Sequence, residues 1–178
     1  LWVLDRIVIV VALGGACIRT GNLMNSEIVG KPTNVPWAFI FPRDTEHLIQ
    51  GVAVPRHPTQ IYEALFCIFL LVLLYYMWNR TKERTPRGQL FGLFVVLLFT
   101  QRFLGEYLKE NQVAFENGHL FNQGQLLSIP MILIGIWVLW RAGKDPENPY
   151  GYAPRDLGKE GDPQPQPPVA AELNRPQK

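Results

Sequence analysis

The sequence predicts an all-α integral membrane protein: four transmembrane helices, polar loops gathered on the outward side, and a disordered C-terminal tail. Three observations predict it. Hydrophobic residues are 48% of the 178, yet mean hydropathy is near zero, because apolar residues come in four blocks and the end of the chain is strongly polar. A bilayer core asks for about 20 apolar residues per helix, and four such blocks in one short chain exceed what a soluble core uses. The stretch NRTKERTPRGQ, 79–89, sets Arg80, Lys82, Arg84 and Arg87 against the single acid Glu83. That is the pattern of a short cytoplasmic loop.

The first predicted helix covers about 1–18 and is apolar apart from Asp5 and Arg6. No basic flank or small-residue cleavage site accompanies it, so it reads as a span and not as a signal peptide. The chain opens at Leu1, inside this run and without Met, and the expectation is a piece with helices missing upstream. The second helix, about 61–78, holds one charge, Glu63. The third covers about 89–104 and closes on Arg102; the fourth covers about 125–141 and contains Ser128 and Pro130. Those two are either a kink or ordinary membrane-helix residues. Residues 1–141 thus form one transmembrane domain, and 142–178, with GDPQPQPPVAAELNRPQK, a disordered cytoplasmic tail.

With 79–89 inside, the loops 19–60 and 105–125 face outward. The second fits, with Lys109 as its one base against Glu106, Glu110 and Glu116. The first, with Arg19, Lys31, Arg43 and Arg56, fits less well. A net charge of +2 implies no nucleic-acid partner. No internal repeat supports a transporter built from inverted halves. No His/Cys/Asp cluster has ligand spacing, so neither metal nor cofactor is expected. Cys17 and Cys67 lie in apolar runs and read as structural thiols.

The candidate site residues are polar groups placed where lipid begins. In RTGNLMNSEIVG, 19–30, Arg19, Asn22 and Asn25 are three apart and share a helix face if the helix continues, followed by Glu27, while Gly21 and Gly30 permit close backbone approach. In RHPTQIYEALF, 56–66, His57, Gln60 and Glu63 form one stripe spaced by three, with Pro58 in the first turn and Tyr62 in the interfacial belt. In RFLGEYLKE, Arg102 and Glu106 are four apart, either a surface ion pair or an oriented cation in a site. Gln123 and Gln125 open the last span. All four clusters fall on the outward side. Two arginines at one depth suit an anionic ligand, and a phosphate at a membrane surface is most simply a phospholipid headgroup.

These segments resemble the bacterial prolipoprotein diacylglyceryl transferase family. IRTGNLMNSEIVG keeps Arg19, Gly21, Asn22, Asn25, Glu27 and Gly30 of the family signature Gly-Arg-x-Gly-Asn-Phe-x-Asn-x-Glu-x-x-Gly, with Ile18 and Leu23 as departures. RHPTQIYEA, RFLGEYLKE and GQLLSIP follow in the family's order, so the resemblance covers roughly 1–140. It implies a seven-helix inner-membrane enzyme whose site lies near the outer face, with three helices and a His-Gly-Gly element upstream of Leu1. His57 is not that histidine. It implies transfer of the diacylglyceryl group of phosphatidylglycerol to the lipobox cysteine of a prolipoprotein, with loss of glycerol phosphate. The expected catalytic residues are Arg19, Asn22, Glu27, Arg102 and Glu106. Phosphatidylglycerol would be bound by Arg19, Asn22, Asn25, Gly30 and Arg102, with His57, Gln60, Tyr62, Glu63 and Gln125 in support. The arginines would hold the phosphate, the asparagines the glycerol and ester oxygens, and Glu27 and Glu106 would orient the arginines. The competing reading is a transporter or lipid-binding protein that holds an anionic headgroup without covalent turnover.

Overall fold

A computed structural model describes residues 1–81, 85–109 and 122–144. It contains four long helices: α1, Trp2–Asn25; α2, Thr59–Thr81; α3, Gln89–Gly105, extended by a 3-10 turn at Glu106–Leu108; and α4, Gln123–Lys144. All four are long and apolar enough to cross a membrane, and this is an all-α integral membrane protein. In hydrocarbon every backbone N–H and C=O must be paired inside the chain, which a helix alone accomplishes within one segment. The acids and bases of 82–84 and 110–121 and the Pro-rich tail from 145 lie outside the described residues.

Expected and observed helix limits differ most at α1, which runs on to Asn25. The polar RTGNLMN stretch is therefore helical, and it ends where Ser26 turns left-handed (φ 59°) and its N–H caps the Asn22 and Leu23 carbonyls. At α2 the start is sharper than the His57–Gln60–Glu63 stripe requires. His57 precedes Pro58, a position that disfavours helical backbone. Its N–H bonds the Lys31 carbonyl at 3.1 Å and its carbonyl accepts from Gly30 at 3.2 Å. The helix starts only at Thr59, so His57 stands outside the stripe. α4 passes through Pro130 without a break, and Ser128, fully buried, donates back to the Gly124 carbonyl at 2.6 Å.

The core is Val8 and Ala12 of α1, Leu70 and Leu74 of α2, and Leu90, Phe94 and Val95 of α3. α4 docks on α3 through two facing glycines. A Cβ on Gly92 would stand 3.1 Å from the Gly135 carbonyl oxygen, and one on Gly135 would stand 3.1 Å from that of Gly92. Small residues at such a crossing let dispersion contacts replace a hydrophobic drive that lipid does not supply. The outer surfaces are apolar: Val10 is 67% exposed, Leu133 62% and Val72 61%, a distribution suited to acyl chains.

Asp5, unexplained by the sequence, is 2% exposed and joins two helices. α3 begins after Gly88 (φ 85°), which has no side chain to cap it. Asp5 supplies the missing acceptor from α1, taking the Gly88 N–H on Oδ2 at 2.6 Å and the Phe91 N–H on Oδ1 at 2.8 Å. The starts of α1 and α3 therefore share one end of the bundle.

Candidate functional site

At the other end the polar groups of all four helices meet. The loop 26–58 brings the chain from α1 back to α2, and Arg56 holds it closed. This arginine is 4% exposed and donates to the carbonyls of Gly30 (3.1 Å) and His47 (2.5 Å), while its backbone pairs both ways with Phe39. At α2, Thr59 donates to the Ile28 carbonyl at 3.1 Å and Gln60 to that of Glu27 at 2.6 Å. Gln60 Oε1 is buried without a hydrogen-bond partner. Gly30 sits against this seam, where a Cβ would come within 2.7 Å of His57 Cβ and 2.9 Å of Thr59 Cγ2. Packing alone therefore requires a glycine there.

Within this frame lies a chain of alternating charge. Arg19 Nε of α1 is 2.7 Å from Glu63 Oε2 of α2, a charge contact without the alignment of a good hydrogen bond. Glu63 Oε1 is 2.7 Å from Lys109 Nζ, and Lys109 Nζ is 3.2 Å from Glu106 Oε1. Glu106 Oε2 accepts from Asn122 Nδ2 at 3.0 Å. The Lys109 and Glu63 side chains are 3% and 5% exposed. Burying ions is costly, and the sequence + − + − offsets that cost by leaving each carboxylate beside a cation.

Asn122 and Gln125 form a reciprocal cap on α4. The Asn122 N–H donates to Gln125 Oε1 at 3.2 Å and the Gln125 N–H to Asn122 Oδ1 at 3.0 Å. Gln125 Nε2 also reaches the Phe103 carbonyl at 3.3 Å, tying α4 to the end of α3. Glu106 lies over this helix start, with its Cδ 2.8 Å from where a Cβ on Gly124 would be. The positive end of a helix favours a carboxylate there.

The structure joins some of the expected site residues and separates others. Arg19 and Glu63 meet, and Gln60 and Gln125 pack into the same end. Neither Glu27 nor Glu106 orients an arginine. Glu27 is exposed, with its Oε1 3.4 Å from Asn25 Nδ2, because α1 has already ended and the chain has turned away from Arg19. Glu106 is taken up by Lys109 and Asn122, since the helix tightens to a 3-10 turn there and i,i+3 side chains eclipse. Arg102 is exposed and meets no acid among the described residues. His57 faces Tyr62, with Nδ1 3.3 Å from its hydroxyl, and Trp37 Nε1 donates to that hydroxyl at 2.7 Å.

Two residues of the charged chain carried no role in the sequence reading. Lys109 counted there only as the one base of its loop, and Asn122 not at all. The three-residue spacing of Glu106 and Lys109 was a visible signal. The contact of Lys109 with Glu63, 46 positions earlier, has no signal in one sequence.

The groups left for a ligand are specific. Arg19 spends Nε on Glu63, its side chain is 21% exposed, and its two Nη groups meet no protein partner among the described residues. One turn on, the half-buried Asn22 side chain is likewise unengaged among them. Gly21 faces another side of the helix, with nothing within 4 Å of a built Cβ. A planar fork beside an amide can take an anionic ester. No group of three or more His, Cys, Asp or Glu is placed to hold a metal among the described residues.

Comparison with known proteins adds a second line. The family model described as prolipoprotein diacylglyceryl transferase matches residues 1–141. The chain is 43% identical over 142 residues to the phosphatidylglycerol–prolipoprotein diacylglyceryl transferase of Bacteroides fragilis, covering 80% of this chain and 49% of that protein. Proteins of the same name from Porphyromonas gingivalis and Tolumonas auensis are each 44% identical, over 154 and 148 residues, covering 82% of this chain and 54% and 53% of theirs. The chain thus spans about half the length of the curated relatives it matches. No solved structure matches it.

Proposed function

This chain belongs to the prolipoprotein diacylglyceryl transferase family, and from that premise we propose that it carries part of the machinery that moves the diacylglyceryl group of phosphatidylglycerol to the lipobox cysteine of a prolipoprotein. The observation that carries the proposal is the buried Arg19–Glu63–Lys109–Glu106 chain, which ends in an arginine fork left open at the membrane face.

The chemistry follows from what such a fork can do. The cysteine thiol loses its proton to a base, and the thiolate attacks the glyceryl carbon that bears the phosphate. A C–S bond forms as the C–O bond breaks, and the electron pair leaves with glycerol phosphate. Fixed positive charge where that pair arrives lowers the barrier. The Arg19 Nη groups take two phosphate oxygens. Glu63 sets the guanidinium plane, and Lys109 holds Glu63 from behind. Asn22 and Asn25 take glycerol and ester oxygens, and Arg102 offers a second cation. Glu106 positions Lys109; Gly30, Gln60 and Gln125 hold the backbone around the site, and His57 and Tyr62 form its aromatic edge.

The same proposal puts the protein in the bacterial inner membrane with this end outward and 79–89 and the tail in the cytoplasm. Two of the four bases that weakened the orientation are not free surface charges: Arg19 is ion-paired and Arg56 is buried among carbonyls. The test of orientation is cysteine labelling at position 84 in a background lacking Cys17 and Cys67, which is expected only after permeabilisation; labelling in intact cells overturns it.

The test of function is turnover of phosphatidylglycerol with a lipobox peptide by the full-length gene product, read as thioether-linked lipid. Arg19→Lys keeps a charge and loses the fork, so it is expected to retain lipid binding in part and lose rate by tenfold or more. Arg19→Ala loses both, and Asn22→Ala loses rate with little change in binding. An Arg19→Ala protein that binds and turns over lipid like the parent makes Arg19 an anchor and moves the phosphate site to Arg102. Binding without any thioether product in the parent supports the transporter or lipid-binding reading instead.

A further inference from the structure

The end of the bundle away from the charged chain has a chemistry of its own. Among the described residues four aromatic–cation pairs stand there, each with the cation four residues after the ring. Arg6 Cζ lies 3.8 Å from the Trp2 ring centroid, Arg80 Cζ 5.7 Å from that of Tyr76, Arg141 Cζ 5.8 Å from that of Trp137, and Lys144 Nζ 3.6 Å from that of Trp140. The first pair opens α1, the second closes α2 and the last two close α4. Gly88 shows that these ends meet: a Cβ there would lie 2.7 Å from Val138 Cγ1 of α4 and 3.3 Å from Leu1 Cδ1.

The rings are open to the surroundings, with Tyr76 56%, Trp137 54% and Trp140 59% exposed. Arg80, Arg141 and Lys144 meet no carboxylate among the described residues. The nearby acid Asp5 is buried and holds the amides of Gly88 and Phe91 on its two oxygens. We propose that this belt is a binding surface for anionic phospholipid headgroups in the leaflet at this end, separate from the Arg19 site at the opposite end. A ring at the membrane interface fixes the depth of its cation, and the cation's outward N–H groups then meet phosphate oxygens. The occupant is lipid because the rings continue the apolar flank of the same helices, where Val72 and Leu133 are exposed. An anionic headgroup is favoured over a zwitterionic one because it brings net negative charge to the belt, whereas the zwitterionic headgroup is neutral overall.

Tryptophan fluorescence tests this. Trp37 stands alone at the other end, so in a Trp37→Phe background the remaining four tryptophans, Trp2, Trp78, Trp137 and Trp140, all report on this end. The protein is placed in vesicles carrying either brominated phosphatidylserine or brominated phosphatidylcholine at equal mole fraction. Phosphatidylserine is anionic and is not the proposed substrate. Each basic residue near such a surface favours anionic lipid by roughly fivefold, so stronger quenching by phosphatidylserine is expected, and it should weaken as salt is raised. The triple variant Arg80→Gln, Arg141→Gln, Lys144→Gln, which leaves Arg6 in place, should lose most of the preference, and Arg80→Lys with Arg141→Lys should keep it. Equal quenching in the parent overturns the proposal without reference to any variant, and so does a preference that is undiminished in the triple variant.

Discussion

Replacing Glu63 with Gln removes the one carboxylate that holds both Arg19 and Lys109. Lys109, 3% exposed, is then left in a low-dielectric site with Glu106 at 3.2 Å as its remaining acid. Removing one partner of a buried ion pair costs about 3–5 kcal/mol. The surviving Glu106 contact puts Glu63→Gln at the low end, about 3 kcal/mol, which corresponds to a fall in Tm on the order of 10 °C. Adding Lys109→Gln deletes the stranded charge and restores neutrality. Arg19 can hydrate, and Glu106 keeps Asn122 and the start of α4. The double variant should therefore be more stable than Glu63→Gln alone, with a coupling of about 2 kcal/mol or more, because the two groups are in direct contact. Unfolding of the detergent-solubilised protein, followed by tryptophan fluorescence, measures all members of the cycle. Losses that add within about 0.5 kcal/mol refute the reasoning, since independent sites would then be carrying charges described here as one network.

Asp5→Ala strands the Gly88 and Phe91 amides in a buried site, at about 1–3 kcal/mol each, while Asp5→Asn keeps one acceptor and should lose about half as much; hydrogen exchange at the start of α3 distinguishes this from general destabilisation. Gly92→Ala drives a methyl to 2.9 Å from Leu139 Cγ and 3.1 Å from the Gly135 carbonyl, so it should lower Tm, whereas Gly14→Ala meets nothing within 4 Å and should be neutral or stabilise by up to about 1 kcal/mol through helix propensity; equal effects at the two sites count against the close α3–α4 crossing. Arg56→Ala should expose the 26–58 loop to limited proteolysis while the four helices persist by circular dichroism, because it releases the carbonyls of Gly30 and His47 together; a protease-resistant loop contradicts that role.

Four apolar blocks and their polar ends were legible in the sequence because membrane insertion depends on local composition, summed over about 20 residues without reference to the rest of the chain. The resemblance of four ordered segments to a known family was legible for a similar reason: each is a continuous string, and the family match over 1–141 agrees with it. The helix starts at Thr59 and Gln123 were visible in outline, as Pro58 and Gln125 are local signals. Pairing was not legible. Spacing joined Arg102 to Glu106, and the family resemblance implied that Glu27 orients an arginine, but a 3-10 turn and a left-handed cap at Ser26 redirected both acids. Arg19 found Glu63 on another helix, Glu63 found Lys109 beyond a third, and Asp5 found the start of α3, 83 positions away. The sequence by itself thus determined which segments enter the membrane and which residues cannot stay in lipid unpaired. Which of them meet was decided by the packing of α1 on α2 and α3 on α4, because an ion pair forms over a few ångströms of space and a lone sequence carries no record of distance across a bundle.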